Sequence, residues 1–106
     1  MTDPAAAAVD ELGVRRVLGR AVLVADDGDL DDYATIYTDD AVWDLPDARC
    51  EGLPAIVDGA RTRRHEGRAG PGSGTRHHVT VLDVVLDGDA AHATSYWQFH
   101  RTVGPA

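Results

Sequence analysis

Toward the end of the chain, Asp87-Gly88 separates two runs of β-forming residues, Thr75 to Leu86 and Ala90 to Val103. An Asp-Gly step between extended segments supplies the positive φ that a tight hairpin needs. A long antiparallel hairpin is therefore expected, and the remaining chain has to cover one of its faces. The apolar residues of the first run change parity: Val79 and Val81 are followed by Leu82, Val84 and Leu86. Strand side chains alternate with a period of two, so this change predicts a bulge or strong bend near Val81. Gly104-Pro105 is expected to end the returning strand.

Helical patterns precede the hairpin. Asp3-Pro4 reads as an N-cap followed by proline in the first turn. Leu12, Val14, Val17, Leu18, Ala21, Val24 and Ala25 follow helical spacing, with Arg15, Arg16 and Arg20 largely outside the stripe. A first helix is expected from about Ala5 to Ala25. Asp29 caps a second, short helix carrying Leu30, Tyr33, Ile36 and Tyr37. Ala41 to Leu45 and Arg49 to Gly52 read as short strands around a Pro46-Asp47 turn. Pro54 starts a third helix whose core-facing residues are Leu53, Ile56, Val57 and Ala60. Arg61 to His65 give its end the positive charge that the helix dipole favours. Gly67 to Gly74 reads as a loop. Helices segregated from antiparallel strands make this an α+β chain, and its 106 residues fit one domain, 1–106.

The formal charge is −8, and all 10 basic residues are Arg. Without Lys there is no Schiff-base chemistry and no P-loop lysine. An acidic chain repels nucleic acid and anionic membrane, so neither is an expected partner. No apolar run approaches the ~20 residues that span a bilayer, and no secretory signal pattern opens the chain, so a cytoplasmic protein is expected. Cys50 is the lone cysteine, expected to be a partly buried small residue. The Asp-rich stretch 26–47 fails the calcium-loop spacing, with Asp32 at the glycine position and Thr38 at the final glutamate position. The histidines lack zinc-site spacing, and no cofactor or metal is expected. The run Arg61, Arg63, Arg64 and Arg68 reads as a solvated helix end, with an anionic ligand or acidic surface as the alternative.

Four segments, in order, resemble the SnoaL-like branch of the nuclear-transport-factor-2-like fold. They are Ala25-Asp26-Asp27-Gly28-Asp29, then Ile36-Tyr37-Thr38-Asp39-Asp40-Ala41-Val42-Trp43-Asp44, then Gly52 leading into Ala55-Ile56. The last is Thr75-Arg76-His77-His78-Val79-Thr80, followed by Asp87-Gly88-Asp89-Ala90-Ala91 and Ser95-Tyr96. The resemblance implies a cone in which a strongly curved antiparallel sheet, with three helices from the N-terminal half, encloses a pocket. Family members usually carry further strands after the segment matching Ser95 to Arg101. A sheet short of at least one strand is therefore expected: the pocket is open, or another chain covers the edge, or the full gene product is longer, and the hazard of an exposed edge strand favours a homodimer. The family includes polyketide cyclases, scytalone dehydratase, steroid isomerases, limonene epoxide hydrolases and proteins without activity.

The resemblance makes Asp26 and His77 the candidate catalytic pair. Asp26 would orient or charge-pair His77, and His77 would remove and return a proton on a small hydrophobic, possibly polyketide-like molecule. His77 and His78 are adjacent on a strand, so only one can enter the pocket. Trp43, Tyr96, Trp97, Phe99 and His100 are the candidate substrate-binding residues, since aromatic walls suit a flat apolar ligand. The match is incomplete: Ala25 stands where the dehydratase has a Tyr, and Ala21 where steroid isomerases have theirs. Two readings follow: a cofactor-independent dehydratase, isomerase or cyclase, or a non-catalytic binding or dimerisation module of the same fold.

Overall fold

The computed structural model describes residues 3–102. Helix α1 spans Pro4–Asp27, opened by the Asp3 carboxylate, which accepts the Ala5 N–H at 3.0 Å. It runs two residues further than its apolar stripe suggests, so Asp26 stands inside its last turn. A 3₁₀ helix, Leu30–Thr35, follows where a second short helix is expected. The Asp29 N–H donates to the Asp32 carboxylate at 3.1 Å, and the Asp32 N–H donates back to the Asp29 carbonyl. That reciprocal arrangement satisfies donors that a helix start leaves free.

Strands β1, Val42–Leu45, and β2, Ala48–Glu51, form a short antiparallel hairpin around Pro46-Asp47. Helix α2, Leu53–His65, brings Ile56 and Ala60 fully inward. Ile56, Ala60, Val24 and Tyr33 form the core, and Leu30, Ile36, Tyr37, Trp43, Cys50, Leu53 and Val57 pack around them. The third helix thus buries the face that its spacing predicts. Cys50 is half-buried against Gly59.

Strands β3, Thr75–Asp87, and β4, Ala90–Arg101, form the long hairpin. Asp87 pairs with Ala90, so the two loop residues are Gly88 and Asp89, one position later than the Asp-Gly step suggests. Gly88 takes the positive φ of +58°. The register shifts between Val79 and Val81, the bulge that the parity change predicts. As a consequence Leu82, Val84 and Leu86 share the face of His77 and Val79, and Val84 is buried beneath α1. Arg15, expected outside the stripe, is half-buried and donates to the Leu82 carbonyl at 3.2 Å. Leu12 and Val17, assigned to the stripe, are exposed. α1 meets β3 along one flank, and these two side chains lie off it. Val103 and Gly104-Pro105, where the last strand was expected to end, lie outside the described residues.

The α+β architecture agrees with the sequence, built from three helices and two small antiparallel sheets. The strands are two separate hairpins rather than one continuous sheet among the described residues. The radius of gyration, 15.6 Å, exceeds the ~13 Å of a compact domain of about 100 residues. The long hairpin accounts for the excess: it docks on α1 through β3, and every residue of β4 is exposed. No described helix is long and apolar enough to cross a membrane.

Candidate active site

Asp26 sits in the last turn of α1 and is 4% exposed. A buried carboxylate needs partners for both oxygens. His77 supplies them. Its backbone N–H donates to Asp26 Oδ2 at 2.9 Å, and its ring Nδ1 lies 2.6 Å from Asp26 Oδ1. The two residues are 51 positions apart, and the packing of β3 on α1 brings them together.

The geometry divides the chemistry unequally. An ionised carboxylate only accepts, so the Nδ1 facing it carries the hydrogen. In the neutral ring Nε2 then holds the free lone pair, on a side chain that is 26% exposed. Asp26 has no oxygen left over for a ligand, so its available part is to orient the imidazole and stabilise its charged form. His77 is the member that a ligand can reach.

Pairing across the hairpin decides what surrounds the imidazole. His77 is opposite Phe99, and Val79 is opposite Trp97. The His77 ring centroid lies 4.6 Å from that of Phe99 and 5.4 Å from that of Trp97. Trp97 is 57% exposed and Phe99 43% exposed, so together they form an open aromatic wall beside the imidazole. Two shallow hollows lie elsewhere, one lined by Arg20, Leu23, Val24, Asp27 and Gly28, the other by Ala34 to Asp39. Neither includes His77.

The remaining sequence candidates are not brought to the pair. Tyr96 and His100 have the opposite strand parity and lie on the other face of the hairpin. The His100 ring packs on His78 with centroids 4.4 Å apart, and its Nε2 lies 3.2 Å from Gln98 Oε1. Tyr96 is 66% exposed. Trp43 belongs to a cluster with Tyr33 and Tyr37, and the Arg63 guanidinium lies 4.8 Å from its ring centroid. That is a cation–π contact within the α2 side of the core. Burial pushes the Tyr33 phenol above its ordinary range, and the Arg64 guanidinium nearby opposes the shift without cancelling it.

The basic run at the end of α2 and just beyond it is not one solvated patch. Arg61 pairs with Asp58, Arg68 with Glu66, and Arg63 covers Trp43. Arg64 reaches back to α1, where Nη1 donates to the Gly28 carbonyl at 2.6 Å and Nη2 to the Val24 carbonyl at 2.9 Å. The sequence does carry a signal for it. Arg64 stands four and eight positions after Ala60 and Ile56, on the buried face of α2.

A family model described as a SnoaL-like domain matches residues 6–106. No curated protein and no solved structure matches the chain.

Proposed function

Since the chain belongs to the SnoaL-like domain family, we propose that it is an acid–base enzyme, a dehydratase, isomerase or cyclase, in which His77 moves the proton. The observation that carries the reading is the 2.6 Å contact of His77 Nδ1 with buried Asp26. With Nδ1 anchored, Nε2 takes a proton from a carbon next to a carbonyl, and Asp26 stabilises the imidazolium that forms. The proton then returns to a departing hydroxyl, which leaves as water, or to another carbon, which completes an isomerisation. Trp97 and Phe99 supply a surface for a flat, apolar, small substrate such as a polyketide-like molecule. No cofactor enters this scheme.

Deuterium exchange tests the proposal before the substrate is known. Cyclic ketones and β-hydroxyketones are incubated with the protein in D₂O and followed by mass spectrometry. The expected result is deuterium uptake at the α-carbon with the wild type and none with His77→Ala. Equal uptake by the two proteins would remove the proton-transfer role.

The exposure of β4 along its whole length favours a second reading, a non-catalytic binding or dimerisation module. In that case a second copy covers Trp97 and Phe99. A monomeric mass in solution counts against it, whereas a dimer that binds aromatic ligands without exchange supports it.

A further inference from the structure

The last turn of α1 has an electrostatic problem. The final carbonyls of a helix have no intrahelical donors, and that end of the dipole disfavours negative charge. Yet α1 ends in two carboxylates, Asp26 and Asp27, and has no basic residue in its own last turn. Arg64 supplies from α2 the positive charge that the last turn of α1 lacks, since Val24 O already accepts the Gly28 N–H at 3.0 Å. Its guanidinium donates to Gly28 O at 2.6 Å and to Val24 O at 2.9 Å, on either side of Asp26 in the chain.

Arg64 is itself held in place. Buried Gly70 lies so close that a Cβ there would stand 2.5 Å from Arg64 Cγ and 2.8 Å from Nε, and its φ is +89°. The Gly70 carbonyl also accepts the Ser73 hydroxyl at 2.6 Å, and Ser73 Oγ lies 2.6 Å from Oγ1 of fully buried Thr75. Thr75 opens β3, two residues before His77. A continuous set of contacts thus runs from the turn that carries Asp26, through Arg64 and Gly70, to the strand that carries His77.

We propose that Arg64 is the positioning residue of the Asp26–His77 pair, setting the distance between carboxylate and imidazole from a strut seated on Gly70. Its importance for turnover rests on the acid–base reading above, but its structural claim does not. Arg64 hydrogen-bonds the Val24 and Gly28 carbonyls, so it acts through the backbone turn that carries Asp26. The planar guanidinium matters because it serves two carbonyls at once, which a lysine ammonium on a flexible stem does less well.

The test is NMR on the ¹⁵N-labelled full chain, comparing wild type with Arg64→Met, Arg64→Lys and Gly70→Ala. Two signals report the pair directly: the His77 Nδ1–H resonance and hydrogen exchange of the His77 backbone amide. Arg64→Met and Gly70→Ala are each expected to abolish the first and to speed the second about tenfold. The amides of Ile56 and Val84 keep their protection, and Arg64→Lys restores part of the His77 signals. Unmoved His77 signals in either folded variant would overturn the proposal. So would a uniform loss of protection at Ile56, Val84 and His77, which makes Arg64 a general core residue. The measurement involves no turnover. A catalytically idle His77 therefore leaves this result standing, and an unmoved His77 signal in an active enzyme removes Arg64 alone.

Discussion

Asp26 commits both carboxylate oxygens to one residue: Oδ2 accepts the backbone N–H of His77, and Oδ1 faces its ring Nδ1. Backbone and side chain are held by the same carboxylate, so strand position and ring orientation are fixed together. Replacing Asp26 with Asn keeps an acceptor for the backbone N–H but turns an amide N–H₂ toward Nδ1. The imidazole then shifts to the other tautomer. The expected cost is about 10³-fold or more in proton-transfer rate, and about 2 kcal/mol in stability. Imidazole ¹⁵N shifts read the first cause, and urea unfolding the second.

Trp97 tests the aromatic wall. Because it is more than half exposed, Trp97→Ala is expected to leave the unfolding midpoint nearly unchanged. Affinity for a flat aromatic ligand should fall about tenfold, measured by titration calorimetry. Trp43→Ala should do the reverse, lowering stability with little effect on affinity.

Tyr33 gives the fold an alkaline limit. Its phenol is pushed above its ordinary range by burial, so the neutral form is favoured in the folded chain. The stabilisation is fully present below the unfolded value near ~10. It is lost as the pH rises from there through the folded value. Urea midpoints are therefore expected to fall above about pH 10, and more steeply in the wild type than in Tyr33→Phe.

Ile56 is completely buried, and Leu12 is 65% exposed. Ile56→Ala should cost about 3 kcal/mol through lost transfer energy and the cavity left behind. Leu12→Ala should change stability by less than about 0.5 kcal/mol. Similar losses at the two sites would mean that the apolar stripe of α1 is covered in solution.

The bulge between Val79 and Val81 offers a sharper test. Deleting Thr80 removes the extra residue and makes Val79–Trp97 and Val81–Tyr96 consecutive pairs of a regular ladder, so Leu82, Val84 and Leu86 keep the face of His77. The expected outcome is a hairpin that stays docked on α1, with the His77 Nδ1–H resonance kept and no gain in hydrophobic-dye binding; loss of the resonance would mean that the bend at the bulge, rather than side-chain parity, seats the hairpin.

The sequence disclosed most about local geometry. A period of two, broken once, located the bulge, and the spacing of Leu53, Ile56, Val57 and Ala60 located the buried face of α2. It disclosed less where tertiary partners decide. Leu12 and Val17 fit the helical period, but β3 meets only one flank of α1. Arg64 was grouped with its charged neighbours, although its spacing from Ile56 and Ala60 sets it apart from them. The face of Tyr96 and His100 depends on pairing register, which the strand's own residues do not reveal. Nothing local links Asp26 to His77; their pairing was expected from family resemblance alone.

The long hairpin meets the rest of the chain chiefly along α1. The imidazole sits on the hairpin and its carboxylate on α1, so the pair spans the seam between them. If the hairpin lifts, Asp26 loses its partner for both oxygens at once, and His77 becomes an ordinary strand histidine. Docking the hairpin and assembling the pair are then a single equilibrium. A ligand or second chain that bears on the exposed side of β4 would change the fraction of molecules in which the latch is closed without touching either residue of the pair.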